Sequence, residues 1–438
     1  MAGCSVVVAF FFNASLAVSA GISAAAPVPG QSVLTPPNVV LIVSDDQHWR
    51  DYAFMGHEHL RTPNLDRLAR ESLVFPRGYV PSSLCCPSLA SLITGRYPHQ
   101  HRITGNDPPP GTGPGAFAAG REQMTKHLEE WPTLPTLLAT GGYKSLQTGK
   151  WWQGPFSRGG FTDGMTQGMR HGDQGLAIGR KTLQPIYDFV NTCHADRKPF
   201  FVWYAPMLPH DPHDPPQALV DHYAPLAKSQ HLARYWGNVE RFDRTVGELL
   251  DFLDREGLSQ ETLVVYVTDN GWIQNRQAPH YEPRSKQSPY DGGVRTPILL
   301  RQLGTIAPRT SQELASSIDI LPTVLASCGV ETPADLPGVN LLDGAAVAAR
   351  RHIFGACFTH TLLDLDDPAR NVLSRWTVCD HWKLIVPHKN LAAVELFDLA
   401  ADPEEMQNLA AIHPDTVRTL TPLLDAWWTP TVGEKPTK

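Results

Sequence analysis

Charge and cysteine are both scarce in this 438-residue sequence. Charged residues make up 18%, with 37 basic against 44 acidic and a formal net charge of −7. Such a balance offers no basic field and argues against a nucleic-acid partner. The seven cysteines are too few to form a disulfide scaffold, and Cys85, Cys86, Cys193, Cys328, Cys357 and Cys379 remain if Cys4 leaves with an export signal. No apolar run is long enough to span a bilayer, so no membrane span is expected. A zinc-type Cys/His cluster, a P-loop and a Rossmann glycine motif are also missing, as are internal repeats and low-complexity tracts.

Proline and glycine, in contrast, are plentiful, at 39 and 34 residues. They imply many irregular connections, which are often where an enzyme carries its site. The apolar content of 42% is that of a globular chain with a real core. Residues 6–12 form a short apolar run, followed by small residues with Ala-x-Ala-like cleavage options near Ala20 or Ala26. An export signal is therefore expected over residues 1–26, though without Lys or Arg at its start, with the rest of the chain secreted or periplasmic.

The runs at 38–44, 200–205 and 262–268 are continuously apolar, as strands buried on both faces of a parallel sheet read. Helices are expected at 63–73, 88–94, 134–139 and 239–253, the last from its apolar face of Phe242, Val246, Leu249, Leu250 and Leu253. A short strand is expected at 144–147. Beyond residue 345, short strands at 376–378, 383–386 and 396–398 follow one another without helices, and a last helix falls at 415–427. The expected fold class is α/β: a large, mostly parallel sheet flanked by helices over residues 36–345, with a smaller C-terminal α+β subdomain carrying an antiparallel sheet over 346–438.

Asp45 and Asp46 directly follow the first buried strand, and Asp269 and Asn270 follow another. In open α/β sheets ligands bind beyond the carboxyl ends of strands. Adjacent carboxylates there need compensation, and this set of hard oxygens suits Ca²⁺ or Mg²⁺; strand-ending turns are the simpler alternative. Cys85-Cys86-Pro87 precedes a helical stretch whose free N–H groups favour an anion; a buried structural cysteine or a vicinal disulfide reads equally well. Lys150, His210 and Lys286 stand in loops or at strand ends and carry little signal individually.

Together these segments resemble the type I, formylglycine-dependent sulfatases of the alkaline phosphatase superfamily. The resemblance runs from Asn38 to about Leu409. It rests on the opening strand with Asp45-Asp46-Gln47, on Thr62-Pro-Asn-Leu-Asp-Arg-Leu-Ala69, and on Cys85-x-Pro-Ser-x-Ala-Ser-Leu-Ile-Thr-Gly-Arg96. Thr268-Asp-Asn-Gly271, the stretch from Lys286 to Gly293, Asp319-Ile-Leu-Pro-Thr323 and Glu395-Leu-Phe-Asp-Leu399 complete it. The resemblance implies a sulfuric ester hydrolase acting on sulfate esters of carbohydrates, with a sulfated glycan or small molecule as its substrate. It implies that Cys85 is converted to formylglycine by a separate maturation enzyme and is the nucleophile as a hydrated aldehyde. It implies that Asp45, Asp46, Asp269 and Asn270, with the modified Cys85, hold one cation, usually Ca²⁺. Lys150 and Lys286 would neutralise the sulfate, and His210 would protonate the leaving oxygen. The chain departs from the family pattern at Leu89, where the pattern has Arg, and at Trp152, where it has His; His99 and His171 are the candidate replacements for that imidazole. A phosphoric ester hydrolase and a catalytically silent sulfated-glycan binder are the alternative readings.

Overall fold

The computed structural model describes residues 36–433 except 391, together with Met1 and Gly3. Those two apart, the expected export signal lies outside the described residues. The unit that begins at Pro36 is built on two sheets.

The larger sheet has nine strands: β1 (Asn38–Ser44), β2 (Leu73–Tyr79), β3 (Lys144–Gly149), β4 (Asp163–Gly164), β5 (Phe200–Ala205), β6 (Thr262–Thr268), β7 (Arg295–Arg301), β8 (Arg309–Thr310) and β9 (Ala315–Ser316). Their order is β4-β3-β5-β1-β6-β7-β2-β8, with β9 also on β2. From β4 to β6 all pairings are parallel. At β7 the direction reverses against both β6 and β2, so the sheet is mixed at one side.

The continuous apolar runs have the cause expected of them. Val39, Leu41 and Val43 face one layer with Phe201, Trp203, Val265 and Val267, and that layer holds the helices Cys85–Thr94, Leu134–Thr140 and Ile320–Ser327. Val40 and Ile42 face the other with Val202, Tyr204, Val264 and Tyr266, against the helices Pro63–Arg70, Gln184–Ala195 and Gln230–Arg255. The five apolar side chains of β1, Val39 to Val43, are essentially inaccessible, and each fully buried Val, Leu or Ile contributes about 1.5–3 kcal/mol. The helix Pro63–Arg70 opens on a proline, and its free N–H groups at Asn64 and Leu65 are taken by the Asp243 carboxylate at 3.1 and 2.7 Å. Asp243 thus ties it to the long helix, which begins nine residues earlier than its apolar face indicated. Among the described residues no helix is long and apolar enough to cross a membrane.

The smaller sheet is antiparallel: β10 (His352–Phe358), β11 (Val372–Cys379), β12 (Trp382–Pro387) and β13 (Glu395–Asp398), in that order. β10 was not expected, because the consecutive small residues Gly355, Ala356 and Cys357 weaken the strand pattern. The helix Pro414–Trp427 packs on this sheet. The sheet is joined to the large one where Ala356 N–H donates to Pro81 O at 2.9 Å and Asn106 N–H to His360 O at 2.8 Å.

Candidate active site

Four neighbouring parallel strands, β3, β5, β1 and β6, end at one place, and the residues after each end meet there. Ser44 of β1 is in register with Thr268 of β6, so Asp45 and Asp46 emerge beside Asp269 and Asn270. Lys150 follows β3 and is turned inward by Gly149 at φ 75°, where an added Cβ would lie 1.7 Å from Ala205 O. His210 ends the segment after β5, which is pinned to β1 by Asp45 N–H donating to Leu208 O at 3.0 Å. Asp46 itself adopts φ 62°, a conformation that costs a non-glycine residue energy and is characteristic of functional sites.

Two further segments close over these ends. The helix Cys85–Thr94 begins at Cys85 itself, three residues before the expected start, so Cys85 lies in the first turn. Lys286 reaches in from the loop before β7, tied to the cysteine loop by Gln287 N–H donating to Ser83 O at 3.0 Å. Asp45, Asp46, Cys85 and His210 present ligand-type atoms all within 4.8 Å of one another. The eight residues to which the resemblance gives catalytic or metal-binding roles meet in one buried cluster: Asp45, Asp46, Cys85, Lys150, His210, Asp269, Asn270 and Lys286.

The hydrogen bonds show how the charges are balanced. Lys150 Nζ donates to Asp45 Oδ1 at 2.6 Å and lies 3.6 Å from Asp269 Oδ2. Lys286 Nζ donates to both Asp46 oxygens at 2.7 and 2.6 Å, and Asn270 Nδ2 donates to Asp46 Oδ1 at 2.7 Å. Burial opposes ionisation of Asp46, but Lys286, His210 and Lys150 outweigh it and hold the carboxyl well below the usual range. Asp269 is pushed up to about 7 by burial and by Asp45, and Asp45 is raised by burial despite Lys150.

Three carboxylates thus share two ammonium groups. Asp45 Oδ2, Asp269 Oδ2 and Asn270 Oδ1 are buried and accept no hydrogen bond from any described residue. Unpaired buried acceptors beside surplus negative charge are costly. They fit one hard divalent cation, which prefers such oxygens.

His210 Nδ1 lies 2.5 Å from Asp211 O and donates to it, which leaves Nε2, 3.4 Å from Asp46 Oδ2, as the nitrogen facing the cluster. Burial and then Lys150 lower the imidazole to about 4. Burial pushes the Cys85 thiol up to about 12, so the unmodified side chain is a protonated thiol at neutral pH. Cys86 turns away and accepts from Gln153 Nε2 at 3.2 Å.

The two departures from the family pattern also find their places. Leu89 is buried in the core among apolar neighbours, 1% exposed. Trp152 is buried with its N–H unpartnered among the described residues. His171 packs edge-on against Trp152 at 4.4 Å and lies 5.9 Å from His210, ring centre to ring centre. His99 is elsewhere, stacked on Trp428 at 4.6 Å. The neighbouring Asp107 and Arg170 had no sequence signal, since 63 residues separate them.

Comparison with known proteins agrees with this geometry. Residues 37–330 match the sulfatase family, and residues 283–422 match the C-terminal region of N-sulphoglucosamine sulphohydrolase. Human arylsulfatase A is 30% identical over 379 residues, covering 74% of this chain and 71% of that protein. N-acetylgalactosamine-6-sulfatase of Rattus norvegicus is 29% identical, covering 70% of this chain but 65% of that protein, just under two thirds of its length. A solved structure in complex with its substrate D-glucosamine-2-N,6-O-disulfate superposes with a TM-score of 0.72 at 19% identity, covering 90% of this chain and 97% of the other.

Proposed function

The chain belongs to the sulfatase family of sulfuric ester hydrolases, and we propose that it cleaves sulfate esters of carbohydrates through a formylglycine made from Cys85 and one divalent cation, Ca²⁺ with Mg²⁺ as the alternative. The observation that carries this reading is the convergence of four strand ends on three orphaned oxygens beside Cys85. The carbohydrate class is supported by the aminosugar names of the relative and of the structural neighbour. The division into residues 36–345 and 346–438, maturation by a separate formylglycine-forming enzyme, and export by way of residues 1–26 to a secreted or periplasmic location belong to the same proposal.

Asp45, Asp46, Asp269 and Asn270, with the modified Cys85, would hold the cation. When present, the cation and the formylglycine supply Lewis-acid polarisation of the sulfate and a hydrated-aldehyde nucleophile. The remaining chemistry is the chain's own. Lys150 and Lys286 keep two fixed ammonium charges, already oriented by Asp45 and Asp46, for the sulfate oxygens. His210 has its Nδ1 proton committed to Asp211 O, so Nε2 is the atom that carries the mobile proton to the leaving oxygen. A bound anion beside the ring favours its protonated form.

A phosphate ester carries more negative charge than a sulfate monoester and would want more cations than Lys150 and Lys286 supply, which weighs against a phosphoric ester hydrolase. The test is turnover of an aryl sulfate against the matching aryl phosphate, with added Ca²⁺, by protein made in its native host. Faster sulfate hydrolysis is expected. Preference for the phosphate, or binding of a sulfated glycan without turnover, would overturn the reading.

A further inference from the structure

The segment Arg170–Ala177 contains three successive residues with positive φ: His171 at 68°, Gly172 at 112° and Asp173 at 39°. Two of them are not glycine, and a residue with a side chain is strained in that region. The conformation is held from both sides. Asp173 Oδ2 accepts from the backbone N–H groups of Gln167, Gly168 and Met169 at 2.9, 3.1 and 3.0 Å, and from Thr166 Oγ1 at 3.2 Å. His171 O accepts from Trp151 N–H at 3.3 Å. Gly172 packs so tightly that an added Cβ would meet Gly149 O at 2.3 Å. The strained turn is therefore fastened to the strand end that delivers Lys150, and it sets the His171 ring between Trp152 and His210.

The protonation of that ring is also fixed. Arg170 Nη1 lies 2.9 Å from His171 Nε2. A guanidinium only donates, so Nε2 is the acceptor and the neutral imidazole carries its proton on Nδ1. Arg170 is oriented in turn by a two-point ion pair with Asp107, both contacts at 3.0 Å, and its guanidinium lies over the Trp152 ring at 4.9 Å. An imidazole whose lone pair is already engaged by a cation cannot serve as a base.

We propose that His171 is a substrate-binding residue that donates its Nδ1–H to an oxygen of the bound sulfate ester, with Arg170 and Asp107 as positioning residues that lock its tautomer. The identity of the ligand rests on the sulfatase reading; the locked tautomer does not. It follows that the position taken by Trp152 is not refilled with a base.

Two measurements test this on the full-length protein. In the first, histidine ¹⁵N shifts are recorded, with the His171 resonances assigned by their loss in H171N. We expect a neutral ring protonated at Nδ1 at neutral pH, and mixed tautomers in R170M and D107N. A ring protonated at Nε2, or an imidazolium, would overturn the proposal, as would a tautomer unchanged in both variants. In the second, aryl sulfate turnover is followed. H171A should raise KM about tenfold with a smaller change in kcat, and H171N, which returns an N–H donor near the Nδ1 position, should recover most of that loss. R170K, which keeps a cation, should affect KM less than R170M. Unchanged KM in H171A, or no recovery in H171N, would overturn the ligand role. If the wild type turns over no sulfate ester while its tautomer is as expected, it is the sulfatase reading that has failed.

Discussion

Two buried ionic clusters in this molecule differ in one respect, whether their charges close. At the junction of the small sheet, Lys383 Nζ lies 2.8 Å from Asp291 Oδ1 and 3.0 Å from Glu405 Oε1, and Arg295 Nη1 lies 3.4 Å from Asp291 Oδ2. Two cations meet two carboxylates. At the strand ends, Lys150 and Lys286 meet three carboxylates, and three oxygens are left without hydrogen bonds from any described residue. The closed cluster matches its charges one for one, with a single oxygen, Glu405 Oε1, held by ion pairing alone, and it joins parts of the fold. The open one is shaped for something the chain does not supply. A buried salt bridge alone says little about function, but one that fails to balance points to a ligand.

The largest effects should come from the open cluster. Cys85→Ala is expected to abolish sulfate ester hydrolysis, and His210→Ala to lower kcat by about 10²–10⁴-fold, both read with an aryl sulfate. Lys383→Met in the closed cluster should instead cost about 3–5 kcal/mol of stability, because it leaves buried Glu405 without its cation and Asp291 with Arg295 alone; denaturant unfolding checks this. Chelation separates the clusters further. With a cation at a hundred times its Kd, removal should cost about 2.7 kcal/mol, seen as a lower Tm. Asp269→Asn should erase that response and raise the Tm of chelated protein, since it relieves the surplus charge. A chelator-insensitive wild type would remove the distinction between the two clusters.

The smallest expected effect is a pH dependence in the closed cluster. Burial raises Glu405 to about 7 from an ordinary 4.5 despite Lys383. The folded state therefore binds more protons than the unfolded one between those values, and the contribution is present below about 4.5 and lost as pH rises through 7. Melting at pH 6 and pH 8 should show a Tm lower by a few degrees at pH 8, and Glu405→Gln should reduce the difference, leaving the share contributed by Asp269.

The same contrast explains what could be read from the sequence. Asp45, Asp46, Asp269 and Asn270 were legible because each pair directly follows a fully buried strand, and strand ends in a parallel sheet converge. Lys150, His210 and Lys286 carry no local pattern and were legible only through resemblance to a family. The closed cluster was illegible altogether, since Lys383 and Glu405 stand 92 and 114 residues from Asp291 and meet it only through tertiary packing. Asp107 and Arg170 were hidden for the same reason; His171 was singled out only as a replacement for the family imidazole, and the strained turn that aims it depends on backbone angles that composition does not report. The reversal at β7 was also unforeseen, because a strand buried on both faces reads alike in either direction.

The central claim is that Cys85 is converted to formylglycine beside the open cluster. Mass spectrometry of the tryptic peptide covering residues 78–96, from protein made in its native host and fragmented so that Cys85 and Cys86 are separated, tests it most directly. The account predicts formylglycine at Cys85 with an intact thiol at Cys86. Two intact thiols, or a Cys85–Cys86 disulfide, would contradict it.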